Sequence, residues 1–264
     1  MNTALFRYDM RGHGKTGVIF LAVMSLYGGM ITAMFDPKLG ESLEMMAQSM
    51  PQLFAAFGML EAGKTLTQFL ANYLYGFLYI VFPMVFTVLA SVRLVARWID
   101  SGAAAYLLAA PVGKRRIAIT QMAALAVVPF VCTAWAFGFC VLAAQVMFPG
   151  QLDVSAFLRL NVGLLCLQLM FAGVCFLASC VFHDARMAAG VGAGICTTFV
   201  LVQMLSEVSD TFNWLRYCTP LSLFDQQALL AGEGGAAGCA ALLAAGVVTA
   251  TAGCIVFCKK DISV

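Results

Sequence analysis

Charge is what this sequence has least of. Asp, Glu, Lys and Arg together make up 11% of its 264 residues, against roughly 25% in an ordinary soluble domain. Histidine is nearly absent, with His13 and His183 as its two copies, both read as cytoplasmic and outside the helices. His183 opens a charged turn with Asp184 and Arg186. No Asp, Glu, Lys or His lies in the middle of a long apolar run. That absence weighs against a proton-driven secondary transporter, in which the coupling proton must bind inside the membrane. Sodium coupling through backbone and hydroxyl oxygens stays open. There are ten cysteines but no Cys-x-x-Cys pair, and Cys218 alone falls in an external loop. The others sit in or beside apolar runs, where small, weakly polar Cys packs between helices, so neither a disulfide framework nor a metal site is expected. No second soluble domain is present, because the longest external stretches, 36–68 and 207–235, carry enough apolar residues to lie against a membrane or a bundle.

Apolar residues are abundant. They make up 62% of the chain, and the mean hydropathy is +0.92. A soluble fold of this length could not bury so much apolar surface. The residues fall in six blocks at 17–35, 69–92, 117–148, 157–182, 188–206 and 236–257. An apolar helix of about 20 residues crosses a hydrocarbon core of about 30 Å. The fifth block is near the short limit, and the third is long enough to tilt or project. Barrel strands would be much shorter and would alternate apolar with polar residues. The expected fold is therefore an all-α integral membrane protein, a single six-span domain over 1–264.

Lys and Arg give the orientation. One side receives Arg7, Arg11, Lys15, Arg93, Arg97, Lys114, Arg115, Arg116, Arg186, Lys259 and Lys260, and the other Lys38, Lys64, Arg159 and Arg216. The positive-inside rule places both termini in the cytoplasm. The first apolar run extends beyond a signal-peptide core and offers no clear cleavage site before Phe35, so a retained first helix is expected.

Residues 58–65, Gly-Met-Leu-Glu-Ala-Gly-Lys-Thr, satisfy the Gly-x4-Gly-Lys-Thr pattern of a phosphate-binding loop. The chemistry also needs a preceding strand, an acidic magnesium ligand and cytoplasmic ATP, and this string lies in an external segment. The shorter Gly12-His13-Gly14-Lys15-Thr16 lacks the first Gly and leads into lipid. Both are read as coincidences, and no bound cofactor is expected. Amides available to line a passage are Asn72, Gln121, Gln145, Asn161, Gln168 and Gln203, each of which could instead bond another helix. Gly190 and Gly194 have the spacing of close helix packing.

Between the second and third blocks lies a stiff cytoplasmic element. Ala103-Ala104-Ala105-Tyr106-Leu107-Leu108-Ala109-Ala110 favours a short helix with an apolar face, limited by Pro111 and followed by Gly113 and Lys114-Arg115-Arg116. It is either an interfacial helix with its charged anchor or a surface that receives force from a partner.

The stretch from Asp100-Ser101-Gly102 through Tyr106-Leu107-Leu108 to Pro111-Val112-Gly113-Lys114-Arg115-Arg116 resembles the cytoplasmic loop of ABC-2 type transporter permeases. Three further likenesses follow in the expected order. Leu5-Phe6-Arg7-Tyr8-Asp9-Met10-Arg11 is similar to the amphipathic segment that leads into the first span. Tyr217-Cys218-Thr219-Pro220-Leu221-Ser222-Leu223-Phe224-Asp225 is similar to the external segment before the last span. Phe257-Cys258-Lys259-Lys260-Asp261-Ile262 is similar to the terminal aromatic, basic, Asp signature. Many relatives place an acidic residue four positions before the loop Gly, where this chain has Trp98.

The resemblance implies a permease that pairs with an identical or homologous second permease, embedded in membrane lipids, and recruits a cytoplasmic ABC ATPase dimer. ATP and magnesium would be held by that partner, so this chain would not itself be an enzyme, and nucleic acid is not an expected partner. Coupling would fall on Asp100, Gly102, Tyr106, Leu107, Leu108, Pro111, Lys114 and Arg115, and the path on Asn72, Gln121, Gln168 and Gln203. The expected location is a prokaryotic-type plasma membrane, and the expected direction is export. A secondary or facilitative transporter and a non-transport membrane assembly protein are the alternatives.

Overall fold

In hydrocarbon no water is available to backbone N–H and C=O groups, so a segment that crosses it must satisfy them internally. A computed structural model of the protein describes residues 3–35, 45, 49–50, 65–96, 98, 113–182, 184–208, 210–232 and 234–259, and helices dominate them, with no strand among the described residues. The elements are α1 (Thr3–Ala33), α2 (Leu66–Leu70), α3 (Leu78–Ser91), α4 (Lys114–Met147), α5 (Val154–Val181), α6 (Ala185–Val208), α7 (Gln226–Ala231) and α8 (Gly235–Lys259). Two π-helical turns, Ala71–Tyr75 and Val92–Ala96, flank α3, and two 3₁₀ turns, Asp210–Cys218 and Pro220–Leu223, precede α7.

Six stretches are long and apolar enough to cross a membrane: Leu5–Ala33, Leu78–Ala96, Lys114–Met147, Val154–Val181, Ala185–Glu207 and Gly235–Lys259. They fall on the six apolar blocks. The 34 residues of α4 extend for about 51 Å at 1.5 Å per residue, well beyond the hydrocarbon core. Likewise α1 starts 14 residues before the first apolar block, so its first turns project from the membrane as a continuous helix.

Local chemistry fixes the helix ends. Asp153 caps α5 by accepting from the Ser155 and Ala156 N–H groups, and Asp225 caps α7 through Gln227 and Ala228. At the other end of α7, Gly232 takes a φ of +80°, the left-handed turn that a side chain would strain.

The fourth span, α5, is the central post. Its apolar window is 72% buried, against 17% for the first span, 22% for the fifth and 28% for the sixth, whose outer faces are left for lipid or another chain. Against α8 the backbones come together at glycines. A Cβ on Gly173 would stand 2.6 Å from the Gly246 carbonyl oxygen and closer still to the Thr249 hydroxyl, and one on Gly246 would stand 3.1 Å from Met170 Cα. Among the described residues of this chain, Gly190 and Gly194 meet nothing within 4 Å, and on that helix Gly192 faces Cys175 and Ala178. Close packing needs a facing backbone, and sequence spacing alone does not supply one. Where α1 and α4 end, Phe35 meets Phe69 at 5.5 Å and Phe148 at 5.3 Å, tying the first three spans together.

Candidate functional site

The second crossing is the irregular one. It passes from α2 through a π-helical turn, breaks at Gly76 and Phe77, resumes as α3 with Pro83 inside, and ends in another π-helical turn. Two of these irregularities, Pro83 and the break, free backbone carbonyls, and polar side chains from other elements reach them. Pro83 has no N–H, so the Tyr79 carbonyl four residues earlier loses its helical donor. Gln168, fully buried on α5, sends its Nε2 to the Ile80 carbonyl at 2.8 Å and reaches the Tyr79 carbonyl at 3.4 Å. At the break, Gln226 donates its Nε2 to the Tyr75 carbonyl at 3.0 Å. Tyr75 in turn donates its hydroxyl to Asn161 Oδ1 at 2.9 Å, and Asn161 Nδ2 donates to the Phe157 carbonyl at 2.8 Å. The Tyr79 hydroxyl donates to the Met24 carbonyl on α1 at 3.1 Å.

These bonds separate the amides that sequence grouped together. Gln168 and Asn161 hold the broken helix to α5. Gln145 is exposed on α4. Asn72 lines a cleft at the end of the bundle where α5 begins, Gln203 lines a smaller cavity near that end, and Gln121 lies at the opposite end near Asp9. The four path candidates therefore do not converge on one passage.

The smaller cavity, about 50 Å³, lies where the broken helix meets α6 and the 3₁₀ turn Pro220–Leu223. Gly76, Phe77, Gln203, Glu207, Leu221 and Phe224 are among its lining residues. Gln203 donates its Nε2 to Glu207 Oε1 at 2.7 Å, one turn apart on α6. That volume admits a water or two and no cargo molecule. Nearby, Arg216 and Asp225 approach to 3.8 Å across the external turns. The cleft of about 470 Å³ is of ligand size and is lined by Thr65, Thr67, Gln68, Asn72, Gln151, Asp153 and Gln227, with α7 at its edge. Its polar rim is already engaged in folding: Thr67 accepts from the Asp153 N–H at 3.0 Å, and Asp153 accepts from the Ser155 hydroxyl at 2.7 Å. The Ser155 hydroxyl and the first N–H groups of α5 hold the Asp153 carboxyl below the usual carboxylate range. Arg159 fastens α7 to α5 by donating to the Leu229 and Leu230 carbonyls at 3.1 and 2.9 Å.

At the opposite end Lys114 and Arg115 begin α4, with Arg115 exposed and Lys114 half-buried. Of the other coupling candidates, Asp100, Gly102, Tyr106, Leu107, Leu108 and Pro111 lie outside the described residues. Trp98, immediately before them, packs edge-on against Tyr8 of α1 with ring centroids 6.1 Å apart. One expectation is corrected here. His13 is not outside the helices but buried within α1, 6.5 Å from the Phe86 ring. The string from Gly12 to Thr16 is helix throughout, so its N–H groups are engaged in the helix rather than gathered around a phosphate; the Thr16 hydroxyl accepts from Arg93 at 2.8 Å. Most of the 58–65 string lies outside the described residues, and its Thr65 hydroxyl caps α2 by accepting from the Gln68 N–H at 3.3 Å. Among the described residues no group of three or more His, Cys, Asp or Glu is placed to hold a metal ion.

Hydropathy had no means of finding the pairing of Pro83 with Gln168 or of Gly76 with Gln226. A proline and a glycine inside an apolar block, with amides in other blocks, were the available signal. The profile of a family described as ABC-2 family transporter protein matches residues 8–262, which takes in all six crossings. No curated protein matches the chain closely enough to count as a relative.

Proposed function

The chain belongs to the ABC-2 family of transporter proteins, and from that premise we propose that it is the permease subunit of an ATP-driven exporter. Two permeases, identical or homologous, form the translocation unit and recruit a cytoplasmic ABC ATPase dimer, which holds ATP and magnesium. Closure of that dimer pushes on the 103–108 segment, with Asp100 and the Lys114-Arg115 anchor at its flanks. The push moves the second and third spans, to which the segment is joined at its two ends. Both termini face the cytoplasm.

The observation that carries this reading is the family match across all six crossings. The geometry supports it in one respect: the helix leading into the loop is discontinuous, and discontinuous helices in transporters lie beside cavities or protein rather than lipid. Copurification of the full chain from gently solubilised membranes is the test. A stoichiometric P-loop ATPase is the expected partner. Sodium- or proton-dependent transport with no such partner would overturn the proposal in favour of a secondary transporter.

A further inference from the structure

The break in the second crossing leaves a further carbonyl without its helical donor. In a continuous α-helix the Ile80 N–H would bond the Gly76 carbonyl, four residues back. Instead the Ile80 and Val81 N–H groups both go to the Phe77 carbonyl, at 3.2 and 3.0 Å. Gly76 lines the small cavity together with Gln203, Glu207 and Gln226. Each of the two amides is oriented by an acceptor. Gln203 Nε2 donates to Glu207 Oε1 at 2.7 Å, and Gln226 Nε2 donates to the Tyr75 carbonyl at 3.0 Å. Turning either amide over would set two acceptors against each other, so its oxygen is what is left. Gln203 Oε1 is buried and has no partner.

The remaining lining residues, Phe77, Ile80, Val200, Met204, Leu221 and Phe224, have apolar side chains. The cavity therefore gathers a main-chain carbonyl, two amides and a carboxylate, with no hydroxyl and no basic side chain among its lining residues. Arg216 is not one of them; it approaches Asp225 at 3.8 Å, with both side chains about half exposed. An orphaned acceptor is costly, and a partly buried carboxylate more so unless its charge is met. A water would donate to Gln203 Oε1 but brings no charge to Glu207. One dehydrated metal cation meets both needs, and a space of about 50 Å³ admits a single small one. Carbonyls of unwound helix are ligands that membrane proteins set around sodium.

We propose that the cavity is a binding site for one sodium-sized monovalent cation, held by Gln203 Oε1, the Glu207 carboxylate, Gln226 Oε1 and the Gly76 carbonyl. The ion is a resident of the fold. It ties the break before α3 to α6 and α7, which carry the other ligands. The site stands apart from the proposed function, since it requires neither an ATPase nor a sodium gradient.

Thermal unfolding of the full chain in detergent micelles, with sodium chloride replacing choline chloride at constant ionic strength, tests the site. A ligand that binds only the folded state raises the midpoint with the logarithm of its concentration above Kd. The wild type should show that rise. Glu207→Gln keeps an acceptor for Gln203 Nε2 and removes the charge; it should ignore sodium and, in choline, be at least as stable as wild type. Asp184→Asn, beside the other end of α6, should keep the full response. Wild type should also broaden the sodium NMR resonance saturably, and Glu207→Gln should not. A wild-type midpoint that is the same in both salts would leave the cavity to water and overturn the proposal. So would an undiminished sodium response in Glu207→Gln. Failure to recover an ATPase would bear on the proposed function and leave the cation site untouched.

Discussion

The contact between α5 and α8 can be weighed by making one chemical change in two places. Gly173→Ala puts a methyl group 2.6 Å from the Gly246 carbonyl oxygen, which belongs to backbone and cannot swing aside. Gly190→Ala puts the same group into open space on α6. Both substitutions gain the same intrinsic helix preference, about 0.8–1.0 kcal/mol when unfolding melts the helix and little when it does not. That part cancels in the difference. What remains is overpacking at residue 173, about 1–3 kcal/mol for an added carbon in a filled contact. Without a hydrophobic drive between helices in lipid, such contacts carry much of the association. Gly173→Ala should therefore be less stable than Gly190→Ala by about 1–3 kcal/mol. Unfolding of the purified chain from mixed micelles into sodium dodecyl sulfate, followed by tryptophan fluorescence, would measure it. Equal midpoints and slopes for the two variants would refute the proposed approach of α5 to α8.

In a background stripped of native cysteines, a cysteine at position 233 should react with an impermeant reagent from outside sealed cells, and cysteines at 102 and 260 should not; external labelling at either would reverse the topology. The isolated chain should show no magnesium-dependent ATPase activity, and Lys64→Ala should leave turnover of the assembled complex unchanged; hydrolysis abolished by that replacement would make 58–65 a true phosphate loop. Leu107→Glu and Tyr106→Ala should lower ATPase recovery and coupled turnover at matched membrane levels, the former through a desolvation cost of roughly 1–3 kcal/mol, and unchanged values would place coupling elsewhere. The folded pKa of Asp153 is depressed by the Ser155 hydroxyl and the helix N–H groups. Its contribution to stability is therefore present above the unfolded value, near 4, and lost as pH falls through the folded one. Asp153→Ala should flatten the pH dependence of the unfolding midpoint below about pH 4, and an unaltered acid limb would refute that role.

The six crossings were legible because hydrocarbon imposes a length and forbids charge, and both constraints are written in every block. The irregularity of the second crossing was not, since Pro83 leaves its mean hydropathy at 2.1, beside 1.7 and 2.2 for the spans before and after it. What makes the irregular backbone tolerable is supplied from afar: Gln168 is 85 positions after Pro83, and Gln226 is 150 after Gly76. Amphipathic reasoning also stopped α1 at the edge of its apolar run, although Asp9 and His13 are polar residues on its inward face. Gly190 and Gly194 have the spacing of a contact, but within the described residues of this chain no helix faces them. Lys114 and Arg115 were placed where α4 begins, and the rest of the loop rests on resemblance.

A π-helical turn holds one residue more than an α-helical turn, and the second crossing contains two of them, at Ala71–Tyr75 and Val92–Ala96. Passing that surplus residue into the adjoining helix turns the segment beyond by about 100° and advances it by about 1.5 Å. Turning the stretch between them in this way would part Gln168 from the Ile80 carbonyl and the Tyr79 hydroxyl from the Met24 carbonyl, so these side chains act as pins that keep the crossing in its present register.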